Sequence, residues 1–400
     1  ERSIQLAQET DDLDNLGYAY SNLADHLTLA GRTREGLARA QEGLAAIPQR
    51  VARLHDWLTL TVAQLAFEAG EWEVMQAHLR PAVAPADRLS LFPLLVEAEA
   101  ALGLGDEELA EGRLREAEPL VAASTEPQFI GWFGALQGEL RRRRYDLPGA
   151  RATVEHALGR LEVCTDDVMR IARASAVGAR VEADIARRAR DLRERGEQRD
   201  ALARLRIHLS RLDAAAQEGG PVEAAWLATG KAEMASARGA GKPGPWREAA
   251  RHWEAIDRPY YVAIMRWREA EALVEGGERD RAVEPATAAL QIARRLGARW
   301  LEDEVQGLAR RARLPIDDAQ PDPGADAGPS ADGEDRPFGL TPRELQVLAL
   351  IAEGATNRQI GASLFMAEKT ASVHVSRILV KLGVQSRTQA AAVAHRLHLT

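Results

Sequence analysis

Cysteine occurs once in 400 residues, lysine four times, and aromatic side chains make up 5%. A single cysteine, Cys164, forms no intramolecular disulfide, and no His or Cys at ligand spacing accompanies it for a structural zinc site. A disulfide-stapled secreted scaffold and a zinc module are both excluded. The expectation for Cys164 is a small buried side chain in a reducing, cytoplasmic setting. No run of about 18 apolar residues occurs, so no membrane-spanning helix is expected. The opening Glu1-Arg2-Ser3-Ile4 has neither an apolar signal core nor an initiating Met, and the chain reads as the C-terminal part of something longer.

What is present in quantity is Ala, Leu, Arg and Glu, with a hydrophobic content of 46%. That composition favours helices packing closely through small side chains, and the length allows two or three domains. Charge is unevenly spread. Residues 336–400 hold eight basic and three acidic side chains, a net +5 that leaves −13 for the other 335 residues. A small basic module on a large acidic body points to a polyanionic partner for the module and other partners for the body.

The sharpest break lies at 315–337, PIDDAQPDPGADAGPSADGEDRP, which has seven acidic residues and no apolar period. Such a segment buries too little surface to offset its ordering entropy, and it reads as a flexible acidic linker. As a coil it would span roughly 25–30 Å. Residues 1–314 upstream are repetitive. Ala19-Tyr20-Ser21-Asn22-Leu23-Ala24, Leu27, Ala30-Gly31-Arg32, Glu35-Gly36-Leu37 and Ala40 run on to Ile47-Pro48. This resembles a tetratricopeptide repeat: apolar helix, Gly turn, second helix with small crossing residues, closing Pro. Further turns fall at Gly70-Glu71, Gly105-Asp106, Arg144-Tyr145-Asp146, Gly196-Glu197 and Gly276-Gly277-Glu278. Hairpins of this kind share a core only when stacked, so a superhelical solenoid with a concave surface is predicted. Between 166 and 245 the helices read as longer, with a loop at Gly239–Pro245.

No catalytic constellation stands out. Gly241-Lys242-Pro243 lacks both the hydroxyl and the first Gly of a phosphate-binding loop. The nine histidines are scattered, and His395 and His398 have no Cys or paired carboxylate beside them. We therefore assign no catalytic residue, no metal site and no cofactor, and expect no enzymatic activity from this stretch. The run Arg141–Arg144 reads as a solvated helical face. The tryptophans at 57, 72, 132, 226, 246, 253, 267 and 300 read as core and inter-repeat packing.

Residues 338–400 are locally consistent to an unusual degree. Thr341-Pro342-Arg343-Glu344 is a capping box with Pro at the first helical position, leading a helix with Leu345, Leu348 and Ile351 on one face. Gly354 stops it. Thr356-Asn357-Arg358-Gln359 opens a short second helix with Ile360 and Leu364 inward. A third helix, Glu368–Leu382, buries Ala371, Val375, Ile378 and Leu382 and turns Lys369, Ser372, Val373, Ser376 and Arg377 outward. Gly383 caps it, and Ser386-Arg387-Thr388-Gln389 opens a fourth helix lined by Ala390, Ala394 and Leu397. Helices two and three have the proportions of a helix-turn-helix.

Leu340-Thr341-Pro342-Arg343-Glu344, Glu353-Gly354, Asn357, Ile360, Glu368-Lys369-Thr370, His374-Val375, Leu382-Gly383-Val384 and Ser386-Arg387-Thr388 together resemble the LuxR-type DNA-binding domain. That resemblance implies an all-α fold whose third helix enters the major groove of double-stranded DNA and whose fourth supports dimerisation. It places Ser372, Val373 and Ser376 at base-reading positions. It places Thr356, Asn357, Lys369, Thr370, His374, Arg377, Lys381, Ser386, Arg387 and Thr388 on or near the phosphate backbone. Two positions depart from the family: Ala367 stands where Ser often caps the third helix, worth roughly 1 kcal/mol, and Ser372 where Lys is frequent. Modest affinity per module follows, with a homodimer or larger assembly on DNA supplying avidity.

Helical repeats before such a module resemble the large ATP-binding LuxR regulators, the group that includes the maltose regulator. Arg258-Pro259-Tyr260, Arg266–Leu273 and Ala293–Arg299 carry that likeness. Their ATPase domain is not on these residues, so the chain reads as a fragment or as a shortened member. The expected function is a bacterial-type transcription regulator whose repeats sense a small-molecule effector or protein partner, RNA polymerase included. The alternatives are the regulatory part of a signal-transduction ATPase and an interaction scaffold with a dimerising helical module.

Overall fold

The computed structural model describes residues 2–79, 91–164, 168–239, 242–316 and 342–363, and in the last module 374–375, 377–379, 381–382, 384 and 387–396. Among them all regular structure is helical. The chain forms two compact units, Glu1–Asp318 and Ala319–Thr400. Most of the acidic segment expected as a linker lies outside the described residues.

The first unit is a stack of tetratricopeptide-like hairpins behind a short α1 (Arg2–Glu9). Helices α2 (Leu13–Leu29) and α3 (Thr33–Ala46) pair, as do α4 (Ala52–Ala69) and α5 (Trp72–His78), then α6 (Leu91–Leu104) and α7 (Glu107–Ala123). Next come α8 (Pro127–Arg143) with α9 (Leu147–Cys164) and α10 (Val168–Asp191) with α11 (Arg195–Glu218). The last pairs are α12 (Pro221–Ala237) with α13 (Pro243–Glu254) and α14 (Pro259–Glu275) with α15 (Arg279–Leu296), and α16 (Arg299–Ala312) ends the unit.

Local chemistry sets most of these boundaries. Asp12 and Asp106 cap α2 and α7 by accepting from the Asn15 and Leu109 amides, both at 3.0 Å. Ala24 and Ala40 are fully buried where α2 crosses α3, small enough to let the backbones approach. Two boundaries differ from the sequence expectation. The α10–α11 reversal falls at Leu192–Glu194, with Arg193 left-handed at φ 61° and the Glu194 amide bonded to Ala189 O at 2.7 Å. Gly196, expected in the turn, already lies in the first turn of α11. Pro243 and Pro245, expected in a loop, lie in the first turn of α13, where a missing N–H costs nothing.

Among the described residues the first hairpins touch the last helices of the unit, α4 meeting α14 and α6 meeting α16. Thr33 Oγ1 donates to Ile256 O at 2.8 Å. At Gly70, left-handed at φ 74°, any Cβ would overlap Pro259 Cγ, and at Gly105 it would come 2.7 Å from the Trp300 backbone nitrogen. Glu68 and Arg258 form a buried ion pair across this seam. Glycines legible in the sequence only as turn signals thus also allow two ends of a superhelix to touch.

Between α6, α8, α10 and α12 lies a network of charges. Glu139 takes Arg142 at 2.9 Å, Arg143 at 2.9 Å and Arg180 at 3.5 Å. Burial pushes its carboxyl upward, but these guanidiniums outweigh that and hold it well below the usual range. Glu233 binds Arg180 and Arg187, and Glu99 binds Arg173. At Glu99 burial prevails over Arg173 and raises the carboxyl.

Two expectations for single side chains are overturned here. Arg142 and Arg143 are not part of a solvated face: their side chains are 12% and 4% exposed, Arg142 held by Asp184 of α10 and Arg143 by Glu139 of its own helix, Leu102 O and Tyr260. Arg144 stays half-exposed and pairs with Glu107 and Glu111. Cys164 is exposed rather than buried. It ends α9 beyond the stripe Val154, Ala157, Leu158, Leu161, next to the exposed Val163. The tryptophans do pack inward, with Trp72, Trp132, Trp226, Trp246, Trp253 and Trp267 buried.

Candidate nucleic-acid interface

In the second unit α17 (Pro342–Ala352) buries Val347, Leu348 and Ile351. Leu345, expected on that face, packs against the same core while half-buried. The helix stops at Gly354, left-handed at φ 82°, with the Ala355 amide reaching back to Leu350 O at 2.9 Å.

The capping box of α18 (Asn357–Ser363) is formed as the sequence spells it. The Thr356 amide donates to Gln359 Oε1 at 2.8 Å and the Gln359 amide to Thr356 Oγ1 at 3.3 Å. Ile360 is fully buried. The helical residues between 374 and 381 bring Val375 and Ile378 to the same core, followed by Leu382, and the Val384 amide bonds Leu379 O at 3.0 Å. The C-terminal helix, Arg387–Arg396, adds Ala390 and Ala394 and packs against α17.

The residues assigned to DNA distribute as follows. Ser372, Val373, Ser376, Lys369, Thr370 and Ser386 lie outside the described residues, as do the side chain of Thr388 and the cap positions Thr341 and Ala367. Thr356 is exposed, and His374 and Arg377 are half-buried. Three others are drawn into the module itself. Lys381 Nζ donates to Glu344 Oε2 at 2.6 Å, joining the helical residue Lys381 to α17; the Glu344 side chain is only 4% exposed. Arg387 donates to Asn357 Oδ1 at 3.0 Å and to the Ala355 carbonyl, holding the turn before α18 against the start of the C-terminal helix.

These ties have a chemical consequence. Each brings a side chain suited to phosphate into a hydrogen bond within the module, so its head group is positioned before any ligand arrives. Sequence reasoning missed them. Glu344 reads as a capping residue three positions after Thr341, and nothing local announces a lysine 37 residues later as its partner. Among the described residues no group of acids, Cys and His is arranged to hold a metal ion, and no helix is long and apolar enough to cross a membrane.

A short, capped, helical unit with a helix-turn-helix sequence defines a class, and comparison with known proteins agrees. Residues 339–394 match the family model for bacterial regulatory proteins of the luxR family. The C-terminal segment is therefore a LuxR-type helix-turn-helix domain. It is 58% identical over 60 residues to the transcriptional regulatory protein LiaR of Bacillus subtilis, covering 15% of this chain and 28% of that protein. It is 48% identical over 68 residues to the DNA-binding transcriptional activator DevR/DosR of Mycobacterium tuberculosis, covering 17% and 31%. The chain thus spans less than a third of the length of these relatives. The helical repeats are similar to a Rap protein solved in complex with competence and sporulation factor, with a TM-score of 0.54. That likeness covers 74% of this chain and 82% of that one, and at 13% identity it concerns the fold.

Proposed function

We propose that the chain is a sequence-specific DNA-binding transcription regulator, in which the helical repeats of 1–314 receive a signal and the module of 338–400 reads the major groove. The single observation that carries this is the luxR-family match over nearly the whole capped module, whose positive charge suits a phosphate backbone. In this reading Ser372, Val373 and Ser376 contact base edges. Thr356, Asn357, Lys369, Thr370, His374, Arg377, Lys381, Ser386, Arg387 and Thr388 contact or flank phosphates, of which Thr356, Asn357, Lys381 and Arg387 also order the module. The segment 315–337 tethers the module, and two copies bind together on DNA.

A protein or small-molecule effector on the repeats is the proposed source of the signal. The Rap protein was solved with a factor bound, and a stack of this size has the surface to take one. Selection of the full chain on randomised duplex DNA tests the proposal. Enrichment of one motif with a steep salt dependence is expected; binding without any preferred motif would leave a non-specific scaffold instead.

A further inference from the structure

We propose that the groove between α7, α8 and α9 binds a medium-chain hydroxy acid, its carboxylate on Arg141 and its tail on an apolar floor. Both α7 and α9 pack on α8. Gly134 of α8 lies so close to α9 that a Cβ would come within 2.3 Å of the Ala157 methyl. The floor is built from Val121, Ile130, Gly134 and Ala157, all buried, and a cavity of about 330 Å³ remains above it. An apolar floor with a few convergent polar groups is the usual make-up of a small-molecule site, and the volume falls within the range of such sites.

Arg141 is the member of the run 141–144 that the charge network does not use. Arg142, Arg143 and Arg144 all pair with carboxylates, whereas among the described residues none lies within ion-pair distance of Arg141. It donates to Gly149 O at 3.2 Å, and the rest of its guanidinium has no partner among those residues. One turn back on α8, Gln137 lines the same groove. Its Oε1 is buried without a hydrogen bond, a cost that a small rotation of the terminal amide toward a bound hydroxyl would remove. At the far end Arg160 donates to Val121 O at 3.1 Å and to Ser124 O at 2.6 Å, tying α9 to the end of α7. Glu118 is the one carboxylate among the residues lining the groove, against two guanidiniums.

These positions select the ligand. A single guanidinium without a counter-ion suits a singly charged carboxylate. Gln137 and Arg141 stand four residues apart on one helix, so their side chains start about 5–6 Å apart and match a hydroxyl close to that carboxylate. An amide offers both a donor and an acceptor, and a hydroxyl satisfies either. From Gln137 to Ile130 is about 10 Å along α8, with the half-buried Phe133 between them. A medium-length alkyl tail covers that distance and displaces water from apolar surface.

The site would take the small-molecule effector of the sensing role proposed above, and it rests on that role for its consequence only. Binding is read without DNA, so its failure leaves sensing to another surface. Isothermal titration of the full chain with 3-hydroxydecanoate, below its micelle range, should show one site per chain. Decanoate, without the hydroxyl, and 1,3-decanediol, without the charge, should each bind about tenfold more weakly. Arg141→Gln should abolish the preference over the diol, and Gln137→Leu the preference over decanoate, a pattern that general loss of structure would not give. Shortening the acid by two methylenes should weaken binding about tenfold. Ala122→Trp and Ala152→Trp, at exposed positions on α7 and α9, should block the groove with helical circular dichroism unchanged. Absence of saturable binding by the acid would overturn the site. So would binding that both tryptophan variants retain, or an Arg141→Gln variant that keeps the full preference for the acid over the diol.

Discussion

Replacing Lys381 by alanine separates two roles that the sequence alone merges. As a phosphate ligand, Lys381 would act only when DNA is bound. As the partner of Glu344, at 2.6 Å, it would act in the free protein. The magnitude follows from burial. Deleting one member of a fully buried pair costs about 3–5 kcal/mol, because the remaining charge is stranded. Glu344 is nearly inaccessible, but the Lys381 side chain is 33% exposed, and solvent screens part of the attraction. About 1–3 kcal/mol remains. A module of some sixty residues has roughly 3–9 kcal/mol of stability in all. The loss would therefore be visible as local opening.

Amide hydrogen exchange over Pro342–Ala352 and Arg387–Arg396 in the full chain gives the readout, alongside DNA titrations at several salt concentrations. Lys381→Ala should speed exchange in both helices, and Glu344→Gln should do so to a similar or smaller degree. The pair Lys381→Met with Glu344→Leu should recover most of the protection, since no charge is then left buried. The DNA salt slope should also fall by roughly one for Lys381→Ala if the same ammonium reaches a phosphate. Unchanged exchange in Lys381→Ala would refute the structural role and leave the phosphate contact alone.

His208 on α11 offers a test in the repeats. Burial, with Arg211 and Arg204 nearby, pushes its imidazole down to about 3, so it folds neutral. The unfolded chain binds a proton near pH 6.5 that the folded one takes up only near 3. Within that window stability falls as pH falls, by about 1.4 kcal/mol per pH unit from this group. His208→Leu should flatten the pH dependence of urea unfolding between pH 6.5 and 5, and an unaltered slope would mean the ring is already solvated. On the DNA side, Val373→Ala should change preference at one base pair by about 1–3 kcal/mol. Identical motifs from the two proteins would remove Val373 from the reading surface.

What the sequence determined by itself is everything settled within a few residues. Gly354 and the Thr356–Gln359 box define helix ends through hydrogen bonds spanning five residues or fewer, and both are formed as spelled. The repeat turns at Gly31, Gly70, Gly105 and Gly277 are legible for the same reason, since a left-handed residue between apolar periods has few other uses. Where the turn residue carries a side chain, as at Arg193, the signal fades and the expected turn slips to Gly196. The tertiary structure decided what depends on partners far along the chain. That Arg142 reaches Asp184 and Arg143 reaches Leu102 O and Tyr260, that Gly70 faces Pro259, that Glu68 finds Arg258 190 residues away and that Lys381 finds Glu344 all follow from how the stacked hairpins and the short module pack. A charged side chain reads as solvated even with a counter-ion one helical turn away, as Glu139 is for Arg142 and Arg143, because no local pattern shows the partners that other helices bring.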